Sequence, residues 1–197
     1  MAPSQLGAFS KSRPDLATPN LEYHVQPLSL DAFGGSLDAF PAITASVCNL
    51  RPESRGRVQI TSADPKAAPR IAPNYLSTEA DRQVAVEAIR QARAIMAQAP
   101  MRRYSPEEIK PGLRSDDPED LARAAGDIGT TIFHPVGTVR MGAEEAAPLD
   151  ERLRFRGVAG LRVADASVMP AITSGNTNSP TIMIAEKASE MILEDNR

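Results

Sequence analysis

Between residues 79 and 98 the apolar side chains recur every three or four positions, at Ala85, Ala88, Ile89, Ala92, Ile95 and Met96. That spacing lines one face of an α-helix. Ser77 is placed to cap its start, and Pro100 stops it. A closing helix is predicted over residues 180–194, with Ile182, Ile184, Ala185, Ala188, Met191 and Ile192 as packing positions. Residues 118–126 predict a shorter helix with proline in the first turn, where its missing N–H costs nothing.

The remaining apolar runs are short and alternate. Leu21, Tyr23 and Val25 alternate with polar neighbours and predict a strand within 21–30. Residues 43–50 read as a buried strand, and 57–61 alternate again after the turn Pro52-Glu-Ser-Arg-Gly56. These two are expected to pair as a hairpin. Residues 161–164 predict a short strand running into Asp165. Residues 33–40, around Gly34-Gly35, read as a loop, and three prolines over 64–74 argue against regular structure there. Residues 1–20, poor in apolar side chains, are expected to be a loop or a severed connection. Strands and helices mix without a regular βαβ alternation, which favours an α+β fold.

Composition narrows the function classes. A formal net charge of −3 with no basic block leaves no electrostatic footprint for nucleic acid. No apolar run approaches the roughly 18 residues of a membrane span, and no leader-like segment follows Met1, so a cytoplasmic location is expected. The single cysteine, Cys48, excludes an internal disulfide and lies in an apolar run, as a buried inert thiol would. His24, His134 and Cys48 show no metal-ligand spacing along the chain, so no metal site is expected.

Two clusters carry candidate chemistry. In the first, His134 precedes Pro135, which biases it to extended backbone, and Gly137 permits a bend just beyond. An imidazole held this way can serve as a general base near neutral pH. In the second, the polar loop Thr173-Ser-Gly-Asn-Thr-Asn178 leads through Ser179-Pro180-Thr181 into the closing helix. A helix N-terminus offers free N–H groups and a positive dipole end to an anionic group.

The chain carries H-P-x-G-T-x-x-M-G from His134, L-R-V-x-D-A-S-x-M-P from Leu161 and G-N-x-N-x-x-T-I-M-I-A-E-K from Gly175. Together with Leu50-Arg-Pro-Glu-Ser-Arg-Gly56 and Asn74-Tyr75-Leu76, these resemble the C-terminal region of the glucose–methanol–choline (GMC) flavoprotein oxidoreductases, the choline-dehydrogenase-like alcohol dehydrogenases above all. The resemblance covers nearly the whole chain. It implies a substrate-domain sheet flanked by helices over 21–155, followed by a return segment of a FAD-binding domain over 156–197. It implies FAD as cofactor and a small alcohol as substrate. His134 then corresponds to the catalytic histidine and Asn178 to its His-or-Asn partner, whose carboxamide can donate to a developing alkoxide. Asp165 and Ala166 correspond to the segment near the ribityl and diphosphate. Asn178, Ser179, Thr181 and Ile182 correspond to the helix start at the flavin pyrimidine edge, with backbone N–H groups around Thr181 and Ile182 pointing at it. Asn176 is expected to stabilise the loop through an Asx turn, and His24 is a looser match to a substrate-pocket residue.

One family element has no counterpart here: no G-x-G-x-x-G follows a strand in these residues, so the N-terminal Rossmann part that holds the FAD diphosphate is absent. The resemblance therefore implies a C-terminal catalytic portion that works with an N-terminal FAD-binding portion. The alternative is a non-catalytic remnant or stand-alone binding module. A serine hydrolase is disfavoured, since no G-x-S-x-G elbow occurs. Choline as substrate would call for an aromatic cage, and Tyr23, Phe33, Phe40 and Phe133 form no visible cluster.

Overall fold

The computed structural model describes residues 4–32, 34–112 and 114–196. The chain folds into two compact units, residues 1–54 with 75–130 and residues 55–74 with 131–197.

The first unit is built on an antiparallel sheet of three strands, β1 (Leu6–Ser10), β2 (Leu21–Gln26) and β3 (Thr44–Asn49), in that order. Register is set by alternation: Leu21 and Tyr23 turn to one face, Glu22 and His24 to the other, and Glu22 stands opposite Cys48. Helix α1 (Glu79–Met96) covers the first face, where Leu21, Tyr23 and Ala88 form a core with Val47, Val84 and Ala92. The Tyr23 hydroxyl donates to the Ala88 carbonyl at 3.2 Å, and burial pushes its pKa up to about 12. Helix α2 (Pro118–Ile128) packs on α1 through Val86, Ile89 and Leu121. Asp81, buried in the first turn of α1, accepts from the Asn49 side chain and from the Glu53 and Ser54 amides at 2.7–3.1 Å. Those bonds tie the exit of β3 to the start of the helix.

The second unit combines a short hairpin, β4 (Arg57–Gln59) with β5 (Arg70–Ala72), and helix α3 (Asn178–Asp195) packed on irregular chain. Its core is Leu149, Leu153, Val168, Met169, Ile184 and Ala188. Fully burying a side chain such as Leu149 contributes about 1.5–3 kcal/mol. Arg152 and Arg162 both reach Asp195 and so fasten the C-terminal end of α3.

The α+β class agrees with the sequence, but several elements differ. Residues 6–10 form β1, not loop: the strand is exposed, so burial leaves no apolar pattern to read. The run 43–50 pairs with β2 instead of 57–61, and 57–61 supplies β4, whose partner β5 lies among the prolines. Pro69 and Pro73 flank those three residues and remove no ladder donor from within them. Residues 161–164 form no strand; an isolated bridge joins Arg154 and Arg162. Thr78, not Ser77, caps α1, its hydroxyl accepting from the Asp81 amide. On α1, Val86 is buried while Ile95 is exposed. On α3 only Ile184 and Ala188 are buried, whereas Ile182, Met183, Ile192 and Leu193 are exposed. No helix among the described residues is long and apolar enough to cross a membrane.

Candidate active site

His134 sits in irregular chain of the second unit, just after Phe133, whose backbone is left-handed at φ 65°. That conformation is strained for a bulky aromatic residue, and such strain gathers at functional sites. Gly137 is also left-handed, at φ 87°. A Cβ on it would meet the Met169 carbonyl at 3.3 Å, so glycine permits the close approach of the two segments. Backbone bonds from Val139 to Ser167 and from Met141 to Val168 then fix the His134 segment against residues 166–168. Val168 and Met169, both buried, anchor that segment in the core.

The ring is held at both nitrogens. Nδ1 lies 2.7 Å from the Thr177 hydroxyl, and Nε2 lies 3.2 Å from the Asn176 carboxamide nitrogen. The Thr177 amide is a longer contact to Nδ1, at 3.5 Å. Thr177 is buried and is the N-cap residue of α3, yet its side chain makes no capping bond. An N-cap threonine ordinarily accepts from the helix amides. Here the hydroxyl is turned to the histidine, so the helix end keeps its free donors.

Asn178 is the first residue of α3 and is exposed; the carboxamide at His134 belongs to Asn176, the residue expected to brace the loop. Ser179 follows on the first turn, also exposed. The free amides of this helix end belong to Asn178 and Ser179, because Pro180 has none and the Thr181 amide already donates to the Thr177 carbonyl at 3.0 Å. The expectation that N–H groups around Thr181 and Ile182 point outward is thereby corrected: the helix begins two residues earlier than predicted, which places both inside its ladder. Ile182 itself is 55% exposed. The Asp165 carboxylate caps the short 3₁₀ turn Ala166–Val168, accepting from the Ser167 amide at 2.8 Å.

Sequence reasoning passed over Thr177 and Asn176 as ligands of the histidine. The available signal was Thr177 itself, a hydroxyl residue three positions before the predicted helix start.

His24 lies in the first unit, on β2. Glu22 Oε1 is 3.5 Å from its Nε2, and Cys48 stands opposite Glu22 on β3. The ligand atoms of Glu22, His24 and Cys48 all lie within 4.8 Å of one another. Linear spacing concealed this group, because strand pairing assembles it. Cys48 is half-buried, and burial together with the Glu22 charge pushes its thiol up to about 11. Tyr23 belongs to the core, and Phe33 lies outside the described residues.

Fold and site together define an α+β chain that presents a braced histidine beside an uncapped helix N-terminus. The family profile described as GMC oxidoreductase matches residues 52–185, and the chain belongs to that family, as its C-terminal, choline-dehydrogenase-like domain. It is 40% identical over 190 residues to an alcohol dehydrogenase [acceptor] of Pseudomonas putida, covering 96% of this chain and 34% of the relative. It is 42% identical over 188 residues to an oxygen-dependent choline dehydrogenase of Pectobacterium carotovorum subsp. carotovorum (strain PC1), covering 95% of this chain and 34% of the relative. Among solved structures, pyridoxine 4-oxidase from Mesorbium loti superposes with a TM-score of 0.83 at 25% identity, over 95% of this chain and 37% of that one. A mutant formate oxidase of Aspergillus oryzae RIB40 studied for FAD modification gives 0.79 at 26% identity, over 91% of this chain and 32% of that one. The chain thus spans about a third of the length of the curated relatives it matches.

Proposed function

We propose that this chain supplies the histidine-bearing wall of a FAD-dependent oxidoreductase acting on the CH–OH group of a small primary alcohol. The observation that carries the reading is the His134 network: an imidazole held by Thr177 at one nitrogen and by Asn176 at the other, beside the start of α3. The Asn176 carboxamide nitrogen can only donate, which in this reading makes Nε2 the acceptor and Nδ1 the protonated nitrogen. Nδ1–H donates to the Thr177 hydroxyl, and the Nε2 lone pair accepts from the Asn176 carboxamide. Nε2 is then the basic atom: the alcohol hydroxyl displaces the Asn176 carboxamide from its lone pair and gives it the proton, while Asn176, so released, or Asn178 donates to the oxygen that becomes negative.

The residues present fit a flavin. The Asn178 and Ser179 amides, left free by the missing side-chain cap, suit an edge that gains negative charge. FAD, when bound, would accept the hydride from the carbinol carbon. Asp165 contributes through the turn it caps: its carboxylate accepts from the Ser167 amide and sets the path of residues 166–168. The names of the relatives support an alcohol as substrate class, choline included.

A second reading also has an observation in its favour: the 197 residues hold no G-x-G-x-x-G fingerprint, so the chain by itself is a non-catalytic module. The first reading makes a FAD-binding portion outside these residues the functional partner; the second, a remnant or stand-alone binding module, requires none. Two titrations test them. The purified chain alone should fail to bind FAD tightly. Combined with a GMC FAD-binding portion, it should oxidise members of a primary-alcohol panel with an artificial electron acceptor. Combined protein that binds FAD but turns over no alcohol leaves the second reading standing and removes the first.

A further inference from the structure

On the face of the first unit's sheet turned away from α1, we propose a second site: Glu22, His24 and Cys48 form a three-ligand site for a divalent ion of the Zn²⁺ class. This inference is independent of the proposed function.

The pattern that builds it is strand geometry. Glu22 and His24 are two residues apart on β2 and share a face, and Cys48 is the register partner of Glu22 on β3. A carboxylate, an imidazole and a thiol thus come together from three chain positions that no linear motif joins. On the far side of His24 the partner on β1 is Gly7, which has no side chain to crowd the imidazole. Carboxylate, imidazole and thiolate are the ligand types zinc takes, with bond lengths near 2.0–2.3 Å. Tetrahedral angles then require ligand atoms roughly 3.3–3.7 Å apart. Glu22 Oε1 and His24 Nε2 already stand at 3.5 Å, and the whole group lies within 4.8 Å. The thiol, which now donates to the Glu22 carbonyl at 3.5 Å, has to turn toward the ion, and with three protein ligands the fourth position falls to water.

The second observation is burial without satisfaction. The Glu22 side chain is 8% exposed. His24 Nε2 is buried and makes no hydrogen bond among the described residues. Glu22 Oε1, 3.5 Å away, is too far for a good hydrogen bond, so the buried ring nitrogen has lost water without gaining a partner. A divalent ion satisfies the two at once. On binding, the Cys48 thiol loses its proton to solvent, a Sγ–metal bond forms, and the ion sheds waters; nothing is oxidised or reduced.

The test uses Co²⁺ as a spectroscopic stand-in for zinc. Cys48 is the single cysteine of the chain, so any thiolate-to-cobalt charge-transfer band must come from it. Titration of the purified, folded chain at mildly alkaline pH should give that band, with tetrahedral d–d bands, saturating at one Co²⁺ per chain and abolished by Zn²⁺. Glu22→Gln and His24→Asn should each weaken binding roughly tenfold or more. Zn²⁺ should also protect Cys48 in the unaltered chain from alkylation, a readout that survives if either variant fails to fold. The proposal is overturned if the folded chain shows no thiolate band and no protection. It is equally overturned if one cobalt joins two chains, or if both variants fold and bind with unchanged affinity.

Discussion

Thr177 Oγ1 lies 2.7 Å from His134 Nδ1, although Thr177 occupies the N-cap position of α3, where a threonine hydroxyl would ordinarily bond the helix amides. One side chain therefore orients the histidine and leaves the helix end uncapped. ¹⁵N NMR of the imidazole should find the Nδ1–H tautomer in the chain near neutral pH, with Nε2 as the unprotonated atom. Finding Nε2–H dominant would contradict the role given to Nε2.

Thr177→Val keeps the shape and removes the hydroxyl. Loss of one hydrogen bond predicts destabilisation of about 1 kcal/mol by urea unfolding. The tautomer ratio of His134 should shift as well, a change that a purely structural role for Thr177 would not produce. In the assembled enzyme the variant should lower kcat more than it raises KM, because the ring loses its orientation and not its binding surface.

The acid limb of stability depends on Asp81. Burial pushes its pKa up, but the Ser54 hydroxyl, the Glu53 and Ser54 amides and the Thr78 hydroxyl outweigh this and hold it below the usual carboxylate range. A depressed folded pKa stabilises above the unfolded value and loses that contribution as pH falls through the folded one. Stability of the unaltered chain should therefore decline below about pH 4. Asp81→Asn should cost roughly 2–3 kcal/mol at neutral pH and flatten that decline. Urea midpoints measured against pH check both parts.

Each unit has its own core, which predicts localised damage. Leu149→Ala in the second unit and Leu121→Ala in the first should each cost roughly 2–5 kcal/mol, both sites being fully buried. Hydrogen exchange should accelerate around α3 in the first variant and around α1 and α2 in the second.

The long helices were legible because a buried stripe repeats with the helical period, and Leu21, Tyr23 and Val25 betrayed β2 for the equivalent reason. What escaped was structure without a burial pattern. Strand β1 is exposed along four of its five residues, and β5 is three residues between prolines. Ile182 and Ile192 misled in the opposite direction, reading as core while exposed. At the candidate site, His134 was singled out by the resemblance of the motifs around it, its Pro and Gly neighbours adding only extended backbone and a bend. Thr177 and Asn176 were not, because the contact depends on where α3 begins, and helix boundaries are the least certain feature of a pattern. The Glu22–His24–Cys48 group depends on strand register and has no linear signature.

The central claim is that His134 removes the alcohol proton. Its most direct test is anaerobic stopped-flow reduction of the flavin in the assembled enzyme, comparing the unaltered protein with His134→Ala at saturating alcohol. The account predicts that the variant retains FAD and reduces it roughly 10²–10⁴-fold more slowly, as loss of a general base requires. Reduction at an unchanged rate would contradict it.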